Sequence, residues 1–199
     1  MARSKLRNVS LVVCVLSFAS LLHAQDKTKV ITPDAPTGGP QTFSGKGKVT
    51  EPINGDLGAL FDIGGGITME FPKGLPVGRS RLVTLQKAKG KLPVALAHPK
   101  FRPVGPALDF SGAFNTAGKR IVLAVASKQN PIKGGTKLVV AMEVGTFCEG
   151  PNKAHKLKGG LCSGFELHDA EYDSTGKRLL AKLRSTGGLR LQFGVVPDE

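Results

Sequence analysis

Glycine and proline interrupt this chain so often that a long helix has nowhere to form. There are 26 Gly and 13 Pro in 199 residues. That is about a fifth of the sequence, against about 12% in ordinary globular chains. No stretch free of both and longer than about 12 residues keeps the 3.6-residue apolar period of an amphipathic helix. What recurs instead is short apolar segments between turn residues: Gly66–Phe71, Arg81–Leu85, Pro93–Ala97, Arg120–Val125, Lys137–Val144, Phe165–Leu167, Leu179–Leu183 and Leu189–Phe193. Ile67, Met69 and Phe71 alternate with Thr68 and Glu70, and Leu189, Leu191 and Phe193 alternate with Arg190 and Gln192. A period of two predicts strands with one buried face and one wet face. The reading is an all-β fold, a single antiparallel β-sandwich of roughly nine short strands over residues 46–199, favoured over a barrel.

The start of the chain reads differently. Arg3, Lys5 and Arg7 precede an apolar run from Val9 to Leu22, and Leu22-His23-Ala24 puts a small residue at a cleavage position. This is the pattern of a secretory signal peptide, residues 1–24. The run is shorter than the roughly 20 residues a spanning helix needs, so no membrane span is expected in the mature chain. Cys14 sits in mid-run, away from where a lipidated cysteine would stand. Residues 25–45, with Pro33, Pro36, Pro40, Gly38 and Gly39, read as a flexible leader. The expected location is exported, periplasmic or extracellular.

Export leaves Cys148 and Cys162, and an isolated pair in an oxidising compartment is most simply a disulfide. Closing a loop of this size contributes about 3 kcal/mol in the chain-entropy model. Two turns are near copies: Phe114-Asn-Thr-Ala-Gly118-Lys-Arg and Tyr172-Asp-Ser-Thr-Gly176-Lys-Arg, each followed by aliphatics. An Asx side chain opening a type I turn, with Gly at its left-handed end, predicts a four-residue hairpin loop at both.

Gly64-Gly-Gly-Ile-Thr-Met-Glu-Phe-Pro72-Lys-Gly74-Leu resembles the opening of the β-sandwich domain shared by zona occludens proteins, netrin receptors and ankyrins, also found in bacterial exported proteins. In that family a Gly-rich entry leads to an alternating strand and an apolar-Pro-x-Gly turn, here Phe71-Pro72-Lys73-Gly74. The stretch Phe101–Phe110, the strand Ile121–Val125 and Asp173-Ser-Thr-Gly-Lys are similar in order, so the resemblance spans about residues 60–196. It implies an interaction or structural module and brings no catalytic residues.

Candidate chemistry is sparse. Gly160-Leu-Cys162-Ser-Gly164 spells a nucleophile elbow, which works only where a strand turns into a helix beside a base. Neither is expected here. Cys148, His155, Cys162 and His168 are zinc-type ligands at spacings unlike the short pairs of structural zinc sites, so no metal is assigned. Asp169, Glu171 and Asp173 share one strand face. Their spacing fails the calcium-loop signature, and they read as a solvent face answering Lys177, Arg178, Lys182 and Arg184. No cofactor is expected.

Charge is the clearest functional signal. The net charge is +13, and cleavage removes three cations and no acid. From Phe71 through Met142 the sole acid is Asp109 among 13 basic residues. A one-signed field attracts polyanions such as acidic polysaccharide, surface phosphates or nucleic acid. The residues expected to present it are Lys87, Lys89 and Lys91 in one set, and Lys153, Lys156 and Lys158 on the bridged loop in the other. The first expectation is an exported, non-enzymatic module with a structural or binding role, its partner an acidic polymer or another envelope or extracellular protein. The alternative is a dedicated polyanion binder, and a small hydrolase ranks third. Intact mass of the exported protein should place the mature N-terminus at Gln25; a mature chain that still carries Cys14 would overturn the signal-peptide reading.

Overall fold

Alternation becomes architecture in the computed structural model, which describes residues 38–198 apart from 77–80, 91, 113–115, 158 and 185–189. The signal-peptide segment and most of the leader lie outside the described residues. The described strands are β1 (Gln41–Ser44), β2 (Lys48–Ile53), β3 (Ala59–Asp62), β4 (Ile67–Phe71), β5 (Arg81–Lys87), β6 (Arg102–Pro103), β7 (Leu108–Ser111), β8 (Ile121–Ala126), β9 (Thr136–Thr146), β10 (Cys162–Asp173), β11 (Arg178–Leu183) and β12 (Arg190–Pro197). The chain is all-β, with 3-10 turns at Val94–Leu96 and Gly150–Ala154. Twelve strands replace the nine expected, because pieces as short as Arg102–Pro103 or Ala59–Asp62 are too brief to show alternation. β1 falls inside the stretch expected to be leader and pairs in parallel with β3, so the sheet is not purely antiparallel.

Hydrogen bonds run in one path, β1-β3-β4-β8-β11-β10-β9-β12-β7-β5-β2, with β6 beside β12. The two separate sheets of a sandwich are thus replaced by one nearly closed, barrel-like sheet. β10 makes this possible. Its first part, Cys162–Asp169, pairs with β9, and its last part, Ala170–Asp173, pairs with β11. At the other side the path's two ends meet around Gly47, whose N–H donates to Ile63 O at 2.6 Å and whose carbonyl accepts from Lys87 N at 3.0 Å. Gly47 has φ +77° and needs to be glycine for that turn.

One apolar core fills the interior. Phe61, Met69, Phe71, Ile121 and Leu123 from one half meet Val83, Leu85, Leu108, Leu191 and Phe193 from the other, all essentially buried. Edge-on contacts link Phe43 to Phe61 (centroids 5.4 Å) and Phe61 to Phe71 (5.2 Å), and Phe71 stacks on Phe110 at 6.3 Å, so a file of rings crosses between the halves. β4 keeps its expected pattern, with Ile67, Met69 and Phe71 buried and Glu70 exposed. β12 does not: Leu191 to Val196 are all buried, Gln192 included. The β5–β7 connection folds over its outer face, where Phe101 packs with Val139, Ala141 and Val196 in a second, smaller core. Gln192 Nε2 donates to the carbonyls of Val104 (3.3 Å) and Gly105 (3.0 Å) in that connection. Pro93–Ala97, expected as a strand, supplies this cover as a 3-10 turn whose Val94 and Ala97 pack on the second core. A short apolar run does not distinguish a strand from such a lid.

The near-copy turns diverge. Tyr172–Lys177 closes a true hairpin, with Asp173 opposite Arg178. Asp173 Oδ1 accepts from Thr175 N and Gly176 N at 3.0 Å each, and Arg178 Nε donates to Oδ2 at 2.9 Å. The Gly176 amide, then Arg178, hold the Asp173 carboxyl below the usual carboxylate range. Lys177, not Gly176, takes the left-handed conformation (φ +48°). Of the other copy, residues 114 and 115 lie outside the described residues; the connection that contains it joins β7 to β8, which are not neighbours, so it closes no hairpin between them. Thr116 Oγ1 is spent on Arg184 O at 2.6 Å.

Close packing over β12 makes a sharp prediction. A Cβ at Gly194 would stand 2.3 Å from Phe101 Cζ, whereas one at Gly134 would meet nothing within 4 Å. Gly194→Ala should cost about 1–3 kcal/mol in urea denaturation by overpacking, with Gly134→Ala near neutral; equal midpoints for the two variants would contradict the lid packing.

Candidate functional site

The disulfide is present: Cys148 and Cys162 are joined with S–S 2.09 Å and Cα–Cα 5.0 Å. β9 and β10 bring the two cysteines together, since Thr146 sits opposite Cys162 in register. The bond closes the end of a long hairpin. The loop beyond it is held from within: Glu149 N donates to Asn152 Oδ1 (2.7 Å), Asn152 Nδ2 donates to Phe147 O (3.0 Å), and Ser163 N donates to His155 O (2.8 Å). Both sulfurs are consumed, so neither is free for zinc or as a nucleophile, and Gly160–Gly164 leads into strand β10. His155 is exposed on the loop. His168 Nε2 makes no hydrogen bond and lies 3.5 Å from the Glu166 carboxylate.

Lys153 and Lys156 are exposed on this loop, and Lys87 and Lys89 are exposed at and just past the end of β5. Lys91 and Lys158 lie outside the described residues. The structure does not bring the two sets onto one patch. Lys87 belongs to the row Lys87–Leu108–Leu191–Met142–Glu166, while Cys162 stands four residues further along β10. By strand geometry that separates the sets by about 13 Å along the strands and about 19 Å across them, measured along the sheet. Such a gap exceeds the roughly 8–10 Å screening length at ordinary salt, so they act as two independent cationic clusters.

Some of the acids are paired elsewhere, while Asp56, Glu70, Asp169 and Asp198 stay exposed and in no ion pair among the described residues. On the β10–β11 face Lys182 Nζ lies 3.2 Å from Glu171 Oε1 and Arg178 reaches Asp173, two of the expected pairings. The groove there, about 550 Å³, sets Asp169 and Glu171 against Arg120, Lys182 and Arg184. Opposed charges cancel, so this groove offers a polyanion little. Among the described residues no cluster of three or more His, Cys, Asp or Glu is arranged to hold a metal ion.

Sequence reasoning missed a buried charge. Glu143 is fully buried on the outer side of β9, where Arg190 donates from Nε to Oε2 (2.5 Å) and from Nη2 to Oε1 (2.7 Å), and Ser163 Oγ bonds Oε1. The hydrogen bonds to Glu143 push the Arg190 pKa up against partial burial, and the charges of Glu143 and Asp109 add to this. Register extends the row across the sheet: Arg190 opposes Asp109, Asp109 opposes Gln86, and Gln86 opposes Lys48. Gln86 Nε2 donates to Asp109 Oδ2 at 3.1 Å. Two other side chains also escaped notice, Phe147 at 79% exposure and Leu161 at 41%, flanking the disulfide. The available signal was a charge inside an aliphatic strand in one case, and apolar residues next to loop cysteines in the other.

No known family model matches the chain, and no curated protein is significantly similar to it. Its chemistry therefore has to be argued from the residues themselves.

Arg190 keeps 28% of its side chain in water while Glu143 keeps none, so the two partners are not equivalent. Arg190→Ala leaves a buried carboxylate uncompensated and should cost about 3–5 kcal/mol. Replacing both with apolar residues, Glu143→Leu with Arg190→Met, should recover most of that in denaturant titrations. A loss below about 1 kcal/mol for Arg190→Ala would mean that the pair behaves as an ordinary surface ion pair.

Proposed function

We propose that this chain is an exported, non-enzymatic β-domain that binds acidic polymers through exposed cations. The observation that carries the reading is the surplus of exposed, unpaired cations over exposed, unpaired acids among the described residues. Glu143, Glu171 and Asp173 are taken up by Arg190, Lys182 and Arg178, and Asp109 accepts from Gln86. Lys87, Lys89, Lys100, Arg102, Lys128, Lys133, Lys137, Lys153 and Lys156 are exposed and form no ion pair among the described residues. Unneutralised cations release counterions from a polyanion on binding, a gain that needs neither a pocket nor sequence readout. Export is supported by the basic-then-apolar N-terminal sequence and by the disulfide, which belongs to an oxidising compartment.

A salt titration of affinity for heparin and for duplex DNA tests this. Affinity should fall steeply with salt, with a slope near −0.9 per neutralised phosphate on duplex DNA. Because the clusters are separate, Lys87→Gln with Lys89→Gln and Lys153→Gln with Lys156→Gln should each lower the slope, additively, while stability changes by no more than about 0.5 kcal/mol. Absence of binding at low salt would remove the polyanion reading.

A further inference from the structure

The end of the β9–β10 hairpin combines features that charge alone does not explain. Phe147 is 79% exposed and Leu161 41% exposed, one beside each cysteine of the disulfide. Their exposure is fixed by the backbone. The bond at Cys148 follows Phe147 directly, and the Phe147 carbonyl is held by Asn152 Nδ2. Leu161 O accepts from Leu157 N at 2.8 Å, and the Leu161 side chain lies over Gly145, where a Cβ would come within 2.8 Å of its Cδ1. Gly145 thus makes room for a leucine that is nonetheless left facing outward. Leu167, on the same strand face as Leu161, is also exposed. Around the apolar pair stand Lys153, His155 and Lys156, all exposed. The acid of the loop, Glu149, is exposed at the start of the 3-10 turn Gly150–Ala154, where its amide donates to Asn152 Oδ1 and its carbonyl accepts from Asn152 N, and the cations outnumber it.

We propose that this tip is a membrane-surface insertion site for bilayers rich in anionic phospholipid. Phe147 and Leu161 enter the interfacial layer, and Lys153 and Lys156 sit at the headgroup phosphates. The inference rests on the polyanion reading for its headgroup contacts and adds the apolar pair, which a soluble polyanion has no means to bury. Aromatic residues settle at the membrane–water boundary. Stable anchoring takes two signals, such as apolar insertion and basic attraction, and this tip supplies both on one disulfide-closed loop. No helix among the described residues is long and apolar enough to cross a membrane, and the proposed mode needs none.

The sequence contains no Trp, so Phe147→Trp places a single indole at the tip. On vesicles of three parts phosphatidylglycerol to one of phosphatidylcholine, its emission should shift to the blue and be quenched by lipids brominated near the headgroup. Pure phosphatidylcholine vesicles should do neither. In co-sedimentation, Phe147→Ser with Leu161→Ser should weaken partitioning by about tenfold or more, consistent with loss of one of the two anchoring signals, while heparin retention and the circular dichroism spectrum stay as in the parent. Unchanged partitioning of that variant, unshifted indole emission on sedimented protein, or no vesicle binding by the parent would overturn the proposal. The first two outcomes would leave an acidic-polymer contact by charge alone. Loss of heparin binding in the parent would strike the underlying reading instead.

Discussion

The fold depends on β10 belonging to two halves of the sheet at once. A strand of twelve residues changes partner two thirds of the way along, from β9 to β11, so both halves share one backbone and their relative placement is fixed covalently. Both ends of that strand are secured. Cys162 is tied to Cys148 at one end, and Asp173 organises the hairpin into β11 at the other. Ser163, one residue past the disulfide, bonds the buried Glu143, so the same strand also anchors the polar row running across β9, β12 and β7. Satisfying a buried carboxylate is obligatory in a low-dielectric setting, and the register of these strands is constrained accordingly.

Alternation was legible wherever one face of a strand is wet. β4 and β11 follow the two-residue period directly, with Ile67, Met69 and Phe71, and Leu179, Ala181 and Leu183, turned inward. The disulfide was legible because two cysteines in a chain read as exported have few alternatives. β12 was read correctly as a strand but with the wrong environment: Arg190 and Gln192 look like a solvent face, yet the connection through Val104 and Gly105 holds Gln192 and the buried Glu143 holds Arg190. Nothing local in a strand records which distant segment will lie on it. The hairpin expectation at Phe114–Gly118 failed for a related reason, since turn chemistry fixes the turn and not which strands flank one another. Lysine triplets were visible as charges, but whether Lys87 and Lys153 share a surface is a matter of strand order, which the sequence does not display.

Charge and apolarity are partitioned over the surface. Four carboxylates stand on β10, where Arg178 and Lys182 of β11 answer two of them, and much of the excess positive charge is left on the connections and on the disulfide loop. A uniformly neutralised surface would be indifferent to acidic partners. On the proposed function, the loops make contact while the strands hold the structure, which is the usual division between scaffold and binding loops.

β12, the last strand in sequence, does not lie at an edge but between β9 and β7, and its side chains enter both cores. The half-sheet built on β9, β7, β5 and β2 therefore has a central gap until residues 190–197 arrive. Since β5 and β7 reach β9 only through β12, their contacts are deferred to the end of the chain, and the closing steps are long-range ones that form slowly. On the proposed export, a chain with this wiring would stay open while threaded N-terminus first through a narrow channel, and would lock only when residues 190–197 emerge.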